Sequence, residues 1–219
     1  MELNTERLFL RKTKESDYVK FREYYSHPEV SRYLPVEGAN NEKSIRAAFD
    51  FNLGLEMAFS IIEKKSEQVI GNIHFTNITE GYLAEVGYIL NPDFWGLGYM
   101  TEALSAANNF AFDCGLVKIR AVCELENKNS IRLLEKNGFI REAVLRDAAF
   151  AGRLTDLCYY FVTNNNEKES QLDLFMRLNA DMSLGQIQSY VHKILRLRGI
   201  SEKPIQHSLL LLSLSHLHS

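Results

Sequence analysis

The stretch Glu85–Ala103 constrains this 219-residue chain more than any other. Leu83–Leu90 (LAEVGYIL) alternates at period two, as a strand does. The alternation breaks at Asn91-Pro92, passes Gly96 and Gly98, and turns directly into a helical stripe. Met100, Leu104, Ala107, Ala111 and Cys114 recur there at spacings of 4, 3, 4 and 3. A strand that enters a helix through a glycine turn leaves the first helical amides without intrahelical acceptors. Those amides lie at the positive end of the helix dipole, and glycines let a ligand approach the backbone. The pattern reads as an anion site, with Thr101 as an added hydroxyl donor. It is neither common nucleotide motif: Gly98 is followed by Tyr99-Met100 rather than Lys-Ser/Thr, and Thr101 replaces the third glycine of a dinucleotide fingerprint.

Around this turn the first 163 residues alternate strand and helix patterns. Glu6–Thr13 reads as a strand, and Glu15–Tyr25 and Ser44–Leu55 as helices. Met57–Lys64, Gln68–Ile78 and Leu83–Leu90 are three strand-like runs joined by hairpin-length turns at Lys65–Glu67 and Thr79–Gly81. After the helix at Tyr99–Cys114 come a strand at Val117–Cys123 and a short helix at Ser130–Asn137, stopped by Gly138. Phe139–Arg146 and Asp156–Thr163 complete the strands. An antiparallel meander followed by a strand–helix–strand crossover predicts an α+β sheet protein.

The polar run Thr163–Ser170 separates this part from residues 164–219. The tail reads as a helical extension: Ile187, Val191, Ile194 and Leu195 form a stripe within Met182–Arg198, and Gly199 stops it. Neither part stands out in charge. The whole chain carries -3, and from Glu167 onward six basic and five acidic residues give +1, leaving -4 for the first part. That balance excludes a nucleic-acid binder working through a broad positive field. Cys114, Cys123 and Cys158 are too few and too dispersed for a disulfide framework or a zinc site, so no metal is expected. No leader-like apolar stretch opens the sequence. The run Leu209–Leu212 is far short of the ~20 apolar residues that span a bilayer. A cytoplasmic protein without a membrane partner is expected.

Three blocks resemble the GNAT superfamily of acetyl-CoA-dependent N-acetyltransferases, and within it the ribosomal-protein alanine N-acetyltransferase (RimJ/RimL-like) branch. They are Thr5-Glu6-Arg7-Leu8-Phe9-Leu10-Arg11, then Trp95 through Ala103, then Asn127-Lys128-Asn129-Ser130-Ile131-Arg132-Leu133-Leu134-Glu135-Lys136-Asn137-Gly138-Phe139. Their order and separation match as well, over residues 1–163. The resemblance implies a mixed, mostly antiparallel, twisted sheet flanked by helices. It places the pyrophosphate loop of acetyl-CoA on Trp95, Gly96, Leu97, Gly98, Tyr99, Met100 and Thr101, with Gly98 as its central glycine. Met100 departs from the small residue that usually closes the loop, and Trp95 replaces Gln/Arg.

By the same resemblance, backbone groups of Tyr88, Ile89 and Leu90 would bind the pantetheine arm like an added strand. An N–H near Ile89 or Leu90 would polarise the thioester carbonyl, and Asn127 would contact the coenzyme. Glu85 is the implied general base and an acceptor contact. Leu134 stands where many members carry a tyrosine acid, so Ser130 becomes the candidate for giving the sulfur its proton, although it also stands where a helix N-cap belongs. Tyr33, near Pro35, is a candidate acceptor contact. The expected partner is a primary amine, by branch resemblance the N-terminus of a ribosomal or other protein, with a small amine (polyamine, aminoglycoside or amino acid) or a non-catalytic acyl-CoA-binding role as the alternatives, and a homodimer is allowed.

Other features carry blander expectations. Lys128, Arg132 and Lys136 read as a solvated basic face before a contact to the 3′-phosphate. His74 reads as a sheet histidine before a base, and Cys123 as a small buried hydrophobe. In the tail, Gln186–Val191 with Arg198–Ile200 and the leucine run resembles the opening of a MazG-type pyrophosphohydrolase helix bundle. The magnesium-binding carboxylates of that family have no counterpart before Ser219, and His216 with His218 is no metal pair, so the tail carries no expected catalysis.

Overall fold

The structure is a computed structural model that describes residues 2–34, 41–79 and 83–164. The chain divides at Asn164 into two units, and the second lies outside the described residues together with every tail feature named above. Pro35 also lies outside them.

Eight strands form one sheet in the order β1-β2-β3-β4-β5-β6-β8-β7. They are β1 (Glu2–Asn4), β2 (Leu8–Lys12), β3 (Ala58–Glu63), β4 (Val69–Thr79), β5 (Leu83–Leu90), β6 (Lys118–Glu124), β7 (Ile140–Phe150) and β8 (Arg153–Thr163). Every pair is antiparallel except β5 with β6. The helices are α1 (Tyr18–Tyr25), α2 (Pro28–Ser31), α3 (Glu42–Gly54), α4 (Tyr99–Asp113) and α5 (Lys128–Lys136).

Each sheet face has its own apolar cluster. On one face α4 buries Met100, Ala103, Leu104, Ala107 and Ala111 against Phe59, Ile61, Ile73 and Phe75. Four of these are on the predicted stripe, and the fifth, Cys114, is only half-buried at the helix end. The alanines let the helix axis lie close to the sheet. On the other face α1 and α3 pack Phe21, Tyr24, Tyr25, Ile45 and Phe49 together, with Val69 and Ile89 of the sheet against them. Phe21 stacks on Tyr25 and meets Phe49 edge to face, the arrangements that aromatic quadrupoles favour.

Several expectations need correction. The first strand is Leu8–Lys12 rather than Glu6–Thr13, and β1 pairs with its outer edge. The first helix opens with a 3-10 turn, Glu15–Asp17, before α1. β7 runs to Phe150, four residues past its predicted end, because bulges between Arg141/Ala143 and Leu145/Ala148 absorb extra residues. α5 begins at Lys128, and its cap is Asn127, not Ser130: Asn127 Oδ1 accepts the Ser130 N–H at 3.1 Å. Ser130 is the third helical residue, which leaves its hydroxyl available for other partners.

Candidate active site

The parallel pair β5–β6 is joined only over Leu83–Glu85 with Lys118–Arg120. Beyond that rung β6 continues with β8 while β5 stays with β4, so the two strands open into a wedge. The hydrogen bonds fix which backbone groups face the opening. Asn91 N–H donates to Ile70 O at 2.8 Å, which makes 91/70, 89/72 and 87/74 the bonded pairs of the β4–β5 ladder. The backbone groups of Ile89 are therefore spent on β4, and those of Tyr88 and Leu90 face the wedge. Of the two residues expected to offer an oxyanion N–H, geometry leaves Leu90. Its carbonyl already accepts the Trp95 indole N–H at 2.8 Å, which folds the loop back over the strand end.

Gly71 is what lets β4 pass so close here. A Cβ at that position would stand 2.3 Å from Ile89 O. A 3-10 turn at Pro92–Phe94 then carries the chain to Gly96 and Gly98, both at positive φ (76° and 79°), and Gly98 starts α4. The six amides from Gly96 to Thr101 donate to no acceptor among the described residues; the first that does is Glu102, to Gly98 O at 3.1 Å. Six such amides at a helix N-terminus suit a pyrophosphate.

Arg7, noted in the sequence only as part of a block, braces this loop. Its Nη1 donates to Leu97 O at 2.8 Å, its Nε to Glu102 Oε2 at 2.7 Å, and its guanidinium lies over the Tyr99 ring at 4.5 Å. A trans peptide points its C=O and N–H in opposite directions. Holding Leu97 O toward Arg7 thus aims the Gly98 N–H away from the protein body. Glu102 also accepts from Thr5 Oγ1 and Arg7 N. Burial alone would raise the Glu102 pKa, but these donors and the guanidinium hold it below the ordinary carboxylate value. The signal for this brace was the pairing of Arg7 with Glu102 across two separately recognised blocks.

Alternation in β5 sends Glu85 and Gly87 to the face covered by α1 and α3, and Ala84, Val86 and Tyr88 to the face of α4. Glu85 sits at the last paired rung, half-buried, with Arg120 Nη2 at 3.8 Å. His74 lies opposite Gly87, where a Cβ would stand 2.5 Å from the imidazole. Burial pulls the His74 pKa down to about 4, so the ring is neutral near pH 7. The buried nitrogens His74 Nδ1 and Arg120 Nε have no hydrogen-bond partner among the described residues. Tyr33 is half-buried beneath the Arg32 guanidinium. Arg153 Nη2 donates both to Arg32 O and to buried Glu124, tying the end of this segment to the β7–β8 hairpin.

On the opposite face Ser130 Oγ lies 2.7 Å from the Tyr88 hydroxyl. Burial pushes the Cys123 thiol up to about 11 and keeps it inert. Leu134 is fully buried in the core. Lys128 donates to Leu125 O at the helix start, and Arg132 and Lys136 are exposed. A surface depression of about 650 Å³ between α1 and α3, lined by Tyr18, Glu42, Arg46 and Asp50, contains none of these residues. Among the described residues no group of three potential metal ligands gathers, and no helix is long and apolar enough to cross a membrane.

The family described as Acetyltransferase (GNAT) domain matches residues 7–140. An uncharacterized N-acetyltransferase of Bacillus licheniformis is 37% identical over 163 residues, covering 71% of this chain and 92% of its own length. The ribosomal-protein-serine acetyltransferase of Escherichia coli is 33% identical over 88 residues, 39% of this chain and 49% of its own. Among solved structures, a GNAT acetyltransferase from Bacillus anthracis superposes with a TM-score of 0.69 at 30% identity, over 74% of this chain and 98% of its own. The RimL ribosomal L7/L12 α-N-protein acetyltransferase, solved with coenzyme A, shares the fold with a TM-score of 0.66 at 20% identity, over 74% and 98% of the two chains. The chain belongs to the GNAT family and is an N-acetyltransferase.

Proposed function

We propose that the protein moves the acetyl group of acetyl-CoA directly to a primary amine, and that the amine is the α-amino group of a protein N-terminus. The observation that carries the reading is the run of six unpartnered amides, Gly96–Thr101, set at the mouth of the β5–β6 wedge. The amides would hold the pyrophosphate. The exposed edge at Tyr88 and Leu90 would bind the pantetheine arm, and the Leu90 N–H would polarise the thioester carbonyl. Asn127 would meet the coenzyme from the start of α5 with the amide nitrogen that its capping role leaves free.

The acceptor would enter from the face of α1 and α3. Glu85 is on that face, and so are the two unpartnered nitrogens of His74 and Arg120, which an acceptor or water would satisfy. Glu85, through water, would take the proton of the attacking amine. The tetrahedral intermediate then loses its C–S bond. The sulfur leaves with the electron pair and takes a proton from Ser130, which regains one from solvent. A protein acceptor is favoured because sequence likeness reaches a ribosomal-protein acetyltransferase, whereas the likeness to a spermidine N-acetyltransferase of Vibrio cholerae, at 20% identity, concerns the fold.

The test is a panel of N-terminal peptides, polyamines, aminoglycosides and amino acids with labelled acetyl-CoA, scored by label transfer and CoA release. Label on peptide α-amines is expected. Transfer only to small amines would replace the acceptor assignment, and coenzyme binding without turnover on any amine would make the protein an acyl-CoA-binding module.

A further inference from the structure

Two hydroxyls meet head to head where the wedge opens. Tyr88 reaches in from β5 and Ser130 from the first turn of α5, with their oxygens 2.7 Å apart. Two elements thus bring a phenol–hydroxyl pair to the place where the thioester sulfur is expected. Leu134 cannot supply a phenol from α5, since a buried leucine occupies the position.

An O–H···O pair carries two protons. One makes the bond and the other is free to point elsewhere. A phenol is the stronger acid of the two and therefore the better donor. Tyr88 then donates to Ser130 Oγ, and the Ser130 proton turns toward sulfur. Burial keeps Tyr88 above the ordinary phenol range, so it remains a protonated donor across the neutral range.

We propose that Tyr88 is a positioning residue for acetyl transfer, its hydroxyl holding the Ser130 hydroxyl with the proton directed at the departing sulfur. The inference rests on the transferase reading above. As the C–S bond breaks, the electron pair goes to sulfur and the Ser130 proton follows it while solvent returns one to Ser130, so no alkoxide is left; Tyr88 keeps its own proton. Its donation makes Ser130 a stronger donor through the cooperativity of a hydrogen-bonded chain. Without the phenol, a serine inside a helix readily turns its hydroxyl back to a preceding carbonyl, and the proton is misdirected.

Tyr88→Phe removes the hydroxyl and keeps the ring. Removing one hydrogen bond to a group gaining charge is expected to lower kcat about tenfold. The KM for acetyl-CoA stays within about twofold. Ser130→Ala should lower kcat at least as much, and the double variant should match Ser130→Ala alone, because Tyr88 acts only through Ser130. A second readout needs no turnover: the thiol of bound CoA, titrated by its ultraviolet thiolate absorbance. Each variant should raise that thiol pKa by about one unit, the tenfold effect in another form.

The proposal is overturned if the two losses in kcat multiply in the double variant, or if Tyr88→Phe raises KM and spares kcat. If the wild type binds CoA yet acetylates no amine, the transferase reading fails by itself. The titration still decides the hydroxyl chain, and an unmoved thiol pKa in Tyr88→Phe overturns it. Failure of the wild type to bind CoA removes both.

Discussion

Replacing Gly98 by alanine separates backbone strain from everything else the loop does. Gly98 has φ 79° and ψ 4°, in the left-handed region. An L-residue there costs about 1–2 kcal/mol. The added Cβ meets its nearest neighbour, Arg7 Nη2, at 3.4 Å, an ordinary contact, so no steric penalty accompanies the strain. The cost surfaces in one of two places. If the free loop keeps its shape, folding carries it, and for a domain of this size the melting temperature drops by about 2–8 °C. If the free loop relaxes, ligand binding must restore the shape, and CoA binds about 5- to 30-fold more weakly. The two losses together should equal the strain. Thermal melts with and without CoA, combined with calorimetric titration, measure both. Gly96→Ala is the internal control, because φ is 76° there and open space surrounds the position. Unchanged melting and unchanged affinity in Gly98→Ala would refute the requirement for the left-handed turn. A thousandfold loss of affinity would refute the claim that strain is the whole effect.

Gly71→Ala forces a methyl to within 2.3 Å of Ile89 O, so β4 and β5 must separate; a loss of about 1–3 kcal/mol in denaturant unfolding and a raised KM for acetyl-CoA are expected. Asn127→Ala removes the cap of α5 and should cost about 1 kcal/mol of stability, read from the same unfolding curves. Glu85→Gln keeps shape and removes the proposed base, so kcat should fall at neutral pH while CoA affinity, measured by titration, holds. Acid should destabilise the protein in two stages. The His74 pKa is depressed to about 4 in the folded state, so the unfolded chain binds the extra proton first and stability falls as pH drops from about 6.5 to about 4. Burial alone would raise the Asp17 pKa, but Arg11, the Lys14 amide and Ser60 together lower it. Its contribution is present above the unfolded value of about 3.9 and is lost as pH falls further. His74→Gln should flatten only the upper stage in melting temperatures recorded against pH.

What the amino-acid order disclosed follows from how locally each feature is encoded. α4 and its glycine start were legible because a helical stripe and a turn are short-range patterns, and the β3–β5 meander because its core faces alternate without interruption. β1 was not: three half-exposed or exposed residues make no period, and only pairing with β2 defines them. β7 hid its length because two bulges shift the alternation. In the site, the glycine loop before α4 and the place of Ser130 on α5 were readable from block resemblance. The Ser130 partner was not, since Tyr88 lies 42 residues earlier on another strand. The choice between Ile89 and Leu90 depended on a single ladder hydrogen bond, from Asn91 to Ile70, which no periodicity encodes. Residues that cap a helix and residues that face a substrate draw on the same polar types, and so the cap of α5 is Asn127 where the sequence also allowed Ser130.

The brace from Arg7 has a bearing on how the molecule comes into being. The glycine loop before α4 closes against a residue 90 positions earlier in the chain, through the contact with Leu97 O. A nascent chain must therefore dock its first strand before the loop acquires its final shape, and contacts of such sequence separation form late and slowly. Competence to load the coenzyme should consequently lag behind bulk secondary structure during refolding. Fusion partners or trimming that disturb the segment around Thr5 and Arg7 should silence the enzyme while leaving most of the sheet intact.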